Sequence, residues 1–188
     1  MDNTETVKVW DPLIRLSHWL LAVCFIIAYI SEDDFMTIHV WAGYIILALL
    51  VVRIIWGIIG TKHARFIDFV TSPSIAFQYA CDSLKLRAKR YLGHNPAGGL
   101  MIVAMLITLL MLSFSGLVIY GIEEQAGPLA SQLAGSSEWL EDLSEEVHEF
   151  FANLMLVLIF IHLIGVLAES LIHRENLVRS MINGYKQR

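Results

Sequence analysis

Four histidines of this chain lie where they could bind a metal. His148 and His162 are fourteen residues apart in one apolar segment, and His18 and His39 lie in two other apolar segments. On an α-helix, fourteen residues fall about 40° short of whole turns, so His148 and His162 face one side, roughly 21 Å apart along the axis. A histidine among lipid-facing residues is costly without a partner. Four of them predict two bis-imidazole sites of the kind that hold a haem iron.

The elements that must position these histidines are membrane spans. The chain has 188 residues, 56% of them hydrophobic and 16% charged, and its mean hydropathy is +0.62. These values exclude a soluble domain. Four segments are long enough to cross a bilayer, at about 13–30, 36–59, 98–120 and 147–172. We therefore predict an all-α integral membrane four-helix bundle, with residues 1–188 forming a single membrane-embedded domain.

The distribution of basic residues predicts the orientation of the bundle. All 13 Lys and Arg residues lie on the side that holds both termini and the second loop. The first and third loops have none and are rich in Asp and Glu. By the positive-inside rule, both termini are cytoplasmic and the acidic loops face the opposite side. If the membrane is the inner membrane of a Gram-negative bacterium, that side is the periplasm. An acidic chain with a net charge of −5 gives no reason to expect nucleic acid as a partner.

Two segments outside the spans have an amphipathic pattern. Apolar residues recur at helical spacing in 74–91, opposite charged residues, and the pattern returns in the tail, 175–185. We expect both segments to form interfacial helices on the cytoplasmic leaflet, and the alternative for the first is a solvated charged loop. Cys24 lies in a span and Cys81 in the second loop, so no disulfide between them is expected.

Depth in the membrane determines how the histidines pair. His18 lies about 10 Å inside the cytoplasmic edge of its span, and His162 lies in the same half of the membrane. His39 and His148 lie at the outer ends of their spans. We therefore expect an inner haem between His18 and His162 and an outer haem between His39 and His148. Crossed pairs would be roughly 20 Å apart in depth. His173 shares the helical face of His162 and is its competitor for the inner haem.

The apolar segments are also compatible with functions that need no haem. Small residues follow the histidines by about one turn and would leave room for a porphyrin: Gly43, Ala152 and Gly165. Close helix packing accounts for such residues equally well. The third span has no internal histidine and suits a wall of the cavity, with Ser113, Ser115 and Gly116.

A zinc site or transporter fits less well, because zinc sites usually gather three or four ligands at one point. A purely structural membrane subunit is a third alternative.

Five further residues lie at the inner membrane boundary. Arg15 and Arg53 are candidates for pairing with haem propionates, and snorkelling to lipid headgroups fits them equally well. His63, His94 and His173 are expected to be ordinary interfacial histidines, and each is also a candidate proton-exchanging group for a quinone site.

The motifs that contain these residues form a combined pattern along nearly the whole chain. They are Trp10-Asp11-Pro12, Arg15-x-x-His18-Trp19, His39-x-x-x-Gly43, Arg53-x-x-Trp56-Gly57-x-x-Gly60, Ala64-Arg65-Phe66, Gly93-His94-Asn95-Pro96-x-Gly98-Gly99, His148-Glu149 with His162, and Asn176-Leu177-Val178-x-x-Met181-Ile182-x-Gly184-x-Lys186. Together they resemble the bacterial cytochrome b561 family, which includes the b-type subunits of nickel-iron hydrogenases. The resemblance implies two non-covalent haems b, with axial ligands at His18, His39, His148 and His162.

We expect the protein to carry electrons across the membrane between the quinone pool and a periplasmic redox partner. The acidic outer loops would attract a basic partner, such as a c-type cytochrome. The chain stops after its fourth span, which favours a stand-alone carrier over a b-type subunit of a larger oxidoreductase such as a hydrogenase. A superoxide:quinone oxidoreductase is the other alternative, and the acidic outer surface disfavours it because superoxide is an anion.

Overall fold

The computed structural model describes residues 5–32 and 35–188. Asp33 and Asp34, two acids of the predicted acidic first loop, lie outside the described residues. The elements in chain order are β1 (Thr6–Lys8), α1 (Pro12–Ile30), α2 (Met36–Ile59), a 3₁₀ turn (Phe66–Asp68), α3 (Pro73–Leu84), α4 (Pro96–Glu123), α5 (Ala130–Leu133), α6 (Glu138–Ile172), α7 (Leu177–Asn183) and β2 (Tyr185–Gln187).

Four of these helices, α1, α2, α4 and α6, are long and apolar enough to cross a membrane. The predicted all-α membrane protein with four spans is therefore confirmed. The helix α6 has 35 residues, a length of about 52 Å, which exceeds the roughly 30 Å of a bilayer core. It begins at Glu138 rather than near residue 147, because hydropathy marks the lipid-facing part of a helix and not its polar extension.

Side-chain caps determine where α1 and α4 begin. Asp11 Oδ1 accepts a hydrogen bond from the backbone N–H of Ile14 at 3.0 Å, and Asn95 Oδ1 accepts one from Gly98 at 2.7 Å. A proline follows each cap at the first helical position, where its missing N–H costs nothing. Asp11 Oδ2 also accepts hydrogen bonds from Trp56 Nε1 and Thr61 Oγ1 at 3.0 and 2.6 Å. The same carboxylate therefore starts α1 and fixes it to the end of α2.

The helices pack as α1 against α2 and α4 against α6, with α4 also contacting α2 and α3. Their shared core includes Leu50 and Met155, both fully buried. Met155 is seven residues from His148 and seven from His162, so the core separates the two levels at which these histidines lie. Close packing is much less extensive between α6 and the two helices that carry His18 and His39. Space between those helices is what a flat macrocycle requires.

The two ends of the described chain are joined. Strand β1 pairs antiparallel with β2, with Val7 opposite Lys186, and the backbone N–H of Val9 donates to the Gly184 carbonyl at 2.8 Å. We call this side of the bundle the terminal end and the opposite side the far end. Cys24 and Cys81 are both free, as expected.

The two amphipathic segments are helical over shorter ranges than their patterns indicated. The helix α3 ends at Leu84, and the positive φ of Leu86, 57°, turns the chain away from the helix axis. The helix α7 ends before Gly184, whose φ of 90° is readily adopted only by a residue without a side chain. Residues 85–91, which continue the first pattern in the sequence, are exposed or half-buried, so no buried apolar face extends the helix past Leu84.

Candidate functional site

The structure places His39 and His148 opposite each other at the far end of the bundle. Their ring centroids are 6.1 Å apart. His39 lies in the first turn of α2, and His148 lies in α6 about ten residues after the helix begins. We call these two residues the far-end pair.

Both rings of the far-end pair are held through Nδ1. His39 Nδ1 lies 2.9 Å from the backbone carbonyl of Ala28, and since a carbonyl only accepts, this nitrogen carries the proton. His148 Nδ1 lies 3.0 Å from Ser115 Oγ, which itself donates to Leu112 O. The serine oxygen is then the acceptor, so His148 Nδ1 is also protonated. The Nε2 atoms of both rings keep a free lone pair, the arrangement that a metal ligand requires.

The separation of the rings fits an iron between them. Two imidazoles bound in line, with bonds of about 2 Å to the metal and ring centres about 1 Å behind each nitrogen, have centroids roughly 6 Å apart. A cavity adjoins the pair, lined in part by Gly43, Gly116 and Ala152. A Cβ added at Gly43 would meet no atom within 4 Å, whereas one at Gly116 would lie 2.9 Å from His148 Cε1. One glycine leaves space in the cavity, and the other gives room to the ring.

His18 of α1 and His162 of α6 face each other nearer the terminal end, with ring centroids 6.3 Å apart. We call them the terminal-end pair. The ring of Trp19 packs edge-on against His18 at 5.2 Å. His18 Nδ1 is buried and has no hydrogen-bond partner within the described ranges 5–32 and 35–188. A Cβ added at Gly165, one turn beyond His162, would also meet no atom within 4 Å.

The arrangement of ligand atoms distinguishes a haem site from a zinc site. In the described part of the chain, three metal-ligating side chains bring their ligand atoms close together at one place. They are Glu123, Glu141 and Glu145. Neither histidine pair gains a third ligand from these residues. Two opposed imidazoles fit the axial positions of a haem iron and do not fit a tetrahedral zinc site.

His173 is not part of either pair, because it lies at the end of α6 beside Glu169, with Nε2 and Oε2 3.2 Å apart. Glu169 also accepts hydrogen bonds from Tyr79 at 2.8 Å and from Ser83 at 2.7 Å, both in α3. Burial and the neighbouring Glu169 carboxylate raise the pKa of the Tyr79 hydroxyl. These four residues, Tyr79, Ser83, Glu169 and His173, form a connected group of ionisable and hydroxyl side chains that we call the Glu169 cluster.

The two arginines singled out in the sequence have different surroundings. Arg15 donates to the carbonyl of Ile182 in α7, and its Nε is buried with no partner among the described residues. Arg53 is 7% exposed, donates to Ala64 O at 3.2 Å and lies 5.0 Å from the centroid of the Phe66 ring. None of the described carboxylates lies within ion-pair distance of Arg53, so no contacting anion balances its positive charge.

His63 and His94 lie together under the terminal end. His94 packs between Trp10 and Phe69, with centroid distances of 4.5 and 4.6 Å. Burial, with the positive charges of Arg53 and Lys186, lowers the pKa of His94 to about 3. Burial and the charge of Lys62 also lower the pKa of His63. Both imidazoles are therefore neutral at physiological pH.

Three features of the site were not predicted from the sequence. Ser115 was assigned to a cavity wall, whereas its hydroxyl contacts a predicted ligand; a hydroxyl deep in an apolar helix was the available signal. Nothing in the sequence marks the Ala28 carbonyl as a partner of His39, because every residue has a backbone carbonyl. Only part of the Glu169 cluster could have been found in the sequence, because Glu169 lies one helical turn before His173.

The chain is similar to known proteins over nearly its whole length. Residues 9–184 match the family described as prokaryotic cytochrome b561. Among curated proteins, the chain is 24% identical to a probable Ni/Fe-hydrogenase B-type cytochrome subunit of Azotobacter chroococcum, over 96% of this chain and 88% of that protein. It is 22% identical to the probable Ni/Fe-hydrogenase 1 B-type cytochrome subunit of Escherichia coli K12, over 98% of this chain and 92% of that protein. The comparison with solved structures found no match.

Proposed function

Because this chain belongs to the prokaryotic cytochrome b561 family, as a membrane b-type cytochrome of electron transfer, we propose that it carries electrons between the quinone pool and a periplasmic redox partner. It would hold two haems b, one at the far-end pair and one at the terminal-end pair. A bound haem iron takes up and releases one electron by changing between its ferric and ferrous states. The protein supplies the imidazoles, their orientation, and the charges around each site.

The observation that carries the proposal is the presence of two opposed imidazole pairs at different depths of one bundle. The rings are 6.1 Å apart in the far-end pair and 6.3 Å apart in the terminal-end pair. The two levels are joined by the fourteen residues of α6 from His148 to His162, about 21 Å of helix. That distance is most of the hydrocarbon thickness, so two metal centres suffice to connect the membrane faces.

The charge distribution supports an orientation with the terminal end in the cytoplasm of a bacterium. All 13 Lys and Arg residues belong to the terminal end, its loops or the adjoining helix ends. By the positive-inside rule this end remains cytoplasmic and the far end faces the periplasm of a Gram-negative cell.

The far end is suited to a basic redox partner. Glu123, Glu141 and Glu145 bring their carboxylates within 4.8 Å of one another, and α6 extends about nine residues beyond its predicted span on this side. Such a surface attracts cationic proteins and repels anions. A c-type cytochrome with a basic docking face fits, and its rate of electron exchange should fall as salt is added.

On the cytoplasmic side, the Glu169 cluster is the best candidate for exchanging protons with a quinone. Reduction of a quinone to a quinol consumes two electrons and two protons, so a titratable group near the membrane edge is needed. His173 and Glu169 meet this need at the end of α6. His63 and His94, the other two candidates, pack against Trp10 and carry depressed pKa values, which disfavours proton uptake.

A second candidate function is that of a b-type subunit within a larger oxidoreductase. The names of the relatives favour it, since they are described as subunits of Ni/Fe-hydrogenases. Purification from the native membrane in mild detergent separates the two possibilities. A stable stoichiometric partner with its own redox centre would favour the subunit, and a b-type cytochrome isolated alone in active form would favour the independent carrier.

The test of the proposed function is a reduced-minus-oxidised spectrum with a pyridine haemochrome assay on the purified protein. We expect two b haems per chain. A well-folded preparation that contains stoichiometric zinc and no Soret band would overturn the proposal. Superoxide-dependent haem reduction, measured on the same sample, would instead favour the superoxide:quinone oxidoreductase. His173→Ala should keep both haems, because His162, and not His173, lies opposite His18.

A further inference from the structure

Positive charge is buried at the terminal end without enough negative charge in contact with it. Arg53 is 7% and Lys186 is 6% exposed. Lys186 lies 3.5 Å from Glu175 Oε2. Arg53 donates to the Ala64 carbonyl, lies over the face of Phe66 and forms no ion pair with a described carboxylate, and Asp11 attracts it only from beyond ion-pair distance. A buried guanidinium with no carboxylate in contact is costly, since attraction from a more distant carboxylate offsets only part of its desolvation. An anion placed beside Arg53 would remove that cost.

His94 presents a second unsatisfied polar group in the same region. Its ring is held between Trp10 and Phe69, and its Nδ1 is buried with no hydrogen-bond partner in the described parts of the chain, 5–32 and 35–188. Buried polar atoms in folded proteins are nearly always paired. Because the imidazole is neutral, one of its nitrogens carries a proton and can donate to an oxygen.

Arg53 lies at the depth of the terminal-end pair. It follows His39 by fourteen residues in α2, and His162 follows His148 by fourteen residues in α6. Both helices run from the far end to the terminal end, and their starting histidines face each other. Equal numbers of residues bring Arg53 and His162 to similar depths on the facing sides of the two helices. A chain of packed rings links His94 to Arg53: Arg53 lies over Phe66, Phe66 packs against Phe69 at 5.8 Å, and Phe69 packs against His94 at 4.6 Å. The effect of the Arg53 charge on the pKa of His94 agrees with this proximity.

We propose that His94 and Arg53 form a carboxylate site that binds a propionate of the haem held by His18 and His162, with His94 donating a hydrogen bond and Arg53 supplying the charge. This inference rests on the proposed function, because it requires a haem at the terminal-end pair. It gives His94 the role of a positioning residue. The cavity beside the far-end pair has no Arg or Lys among its described lining residues, so the carboxylate site is particular to the terminal end.

Two substitutions separate hydrogen bonding by His94 from packing. His94→Phe keeps an aromatic ring between Trp10 and Phe69 but removes the N–H, whereas His94→Gln keeps a donor. In His94→Phe, the propionate retains more negative charge, which favours ferric iron. We expect the terminal-end haem to become about tenfold harder to reduce, a fall of about 59 mV in its midpoint potential. His94→Gln should stay close to the unsubstituted protein, and the far-end haem should not change in either variant.

The experiment is a redox titration of the full-length purified protein, with haem stoichiometry and a redox-difference infrared spectrum of the carboxylate bands. The His162→Ala protein, which lacks the terminal-end haem, assigns the two potentials. Loss of that haem in His94→Phe but not in His94→Gln would also support the proposal. Equal potentials and unshifted carboxylate bands in His94→Phe, equal changes in both variants, or a shift confined to the far-end haem would overturn it. A protein that binds no haem before any substitution would refute the proposed function instead.

Discussion

The far-end and terminal-end pairs have nearly the same ring separation but different surroundings. At the far end, His39 and His148 each engage Nδ1 with a neighbouring oxygen, so the rings are oriented by the chain itself. At the terminal end, His18 Nδ1 has no partner in the described residues, whereas Arg53 and Lys186 are buried nearby. One site is organised by hydrogen bonds that fix its two rings. The other has buried positive charge at its end of the bundle, and under our proposal a haem propionate would complete it.

The largest expected effect tests whether the two sites are independent. His162→Ala should remove the terminal-end haem, and His148→Ala should remove the far-end haem, so each variant retains one haem per chain in the haemochrome assay. The independence follows from the buried core around Met155 that separates the two levels. Loss of both haems from either folded variant would show that the sites form a single cooperative unit.

The next effect concerns the orientation of the far-end ring. Ser115→Ala removes the acceptor of His148 Nδ1, and loss of such a hydrogen-bond partner of a metal ligand typically lowers metal affinity by about 10- to 100-fold. We expect faster haem transfer from the far end to an acceptor such as apomyoglobin, with no change at the terminal end.

Ser144→Ala is the matched control for this prediction. Ser144 is a buried serine one turn before His148, and its hydroxyl donates to Leu140 O without touching a histidine. Equal haem loss from Ser115→Ala and Ser144→Ala would mean that removing either buried serine loosens the site, and that the contact of Ser115 with the His148 ring is not responsible.

A smaller effect is expected from the carboxylate that fixes α1 to α2 at the terminal end. Burial alone would raise the pKa of Asp11, but hydrogen bonds from Thr61, Trp56 and the start of α1 outweigh it and lower the pKa below 3.8. Because the folded-state pKa is depressed, Asp11 stabilises the fold at pH values above about 4, and this contribution is lost as the pH falls through the folded-state pKa.

Asp11→Asn should therefore reduce the free energy of unfolding by about 1–2 kcal/mol at pH 7, and the difference from the unsubstituted protein should shrink in acid. Thermal unfolding in detergent, followed at several pH values, measures it. A deficit that stays constant down to pH 3 would show that the charge of Asp11 contributes nothing.

The smallest effect that we expect is a difference in midpoint potential between the two proposed haems of the unsubstituted protein. Positive charge near an iron favours its ferrous state, so the buried Arg53 and Lys186 should give the terminal-end haem the higher midpoint potential. A difference of roughly 60 mV corresponds to tenfold in the ferrous-to-ferric ratio. A redox titration with haems assigned by His148→Ala and His162→Ala measures the order, and the reverse order would contradict the electrostatic comparison.

The four spans and the depths of their histidines were predictable from the sequence because both depend on regular helical geometry. Fourteen residues of helix fix the separation of His148 and His162 whatever the helix packs against. The contact of His39 with Ala28 O was not predictable. The last carbonyls of a helix are free of intrahelical partners, but which side chain reaches them depends on how α1 and α2 meet in space.

The polar part of α6 and the joining of the chain ends were also missed, for related physical reasons. Hydropathy does not detect the first turns of α6, because they are rich in carboxylates. Their helix propensity is ordinary, and they lie beside Glu123 at the end of α4. Strands β1 and β2 have three residues each and lie at opposite ends of the described chain. A pattern this short carries too little information to identify such a pairing.

The joining of β1 and β2 implies an order of assembly during synthesis. The far-end pair is present in the nascent chain as soon as α6 has emerged as far as His148. The surroundings of His94 are complete only with Lys186, which follows it by 92 positions and belongs to β2. The pairing of β2 with β1 can therefore form only after all four long helices have been synthesised, and the contacts of Lys186 at the terminal end are among the last to be made.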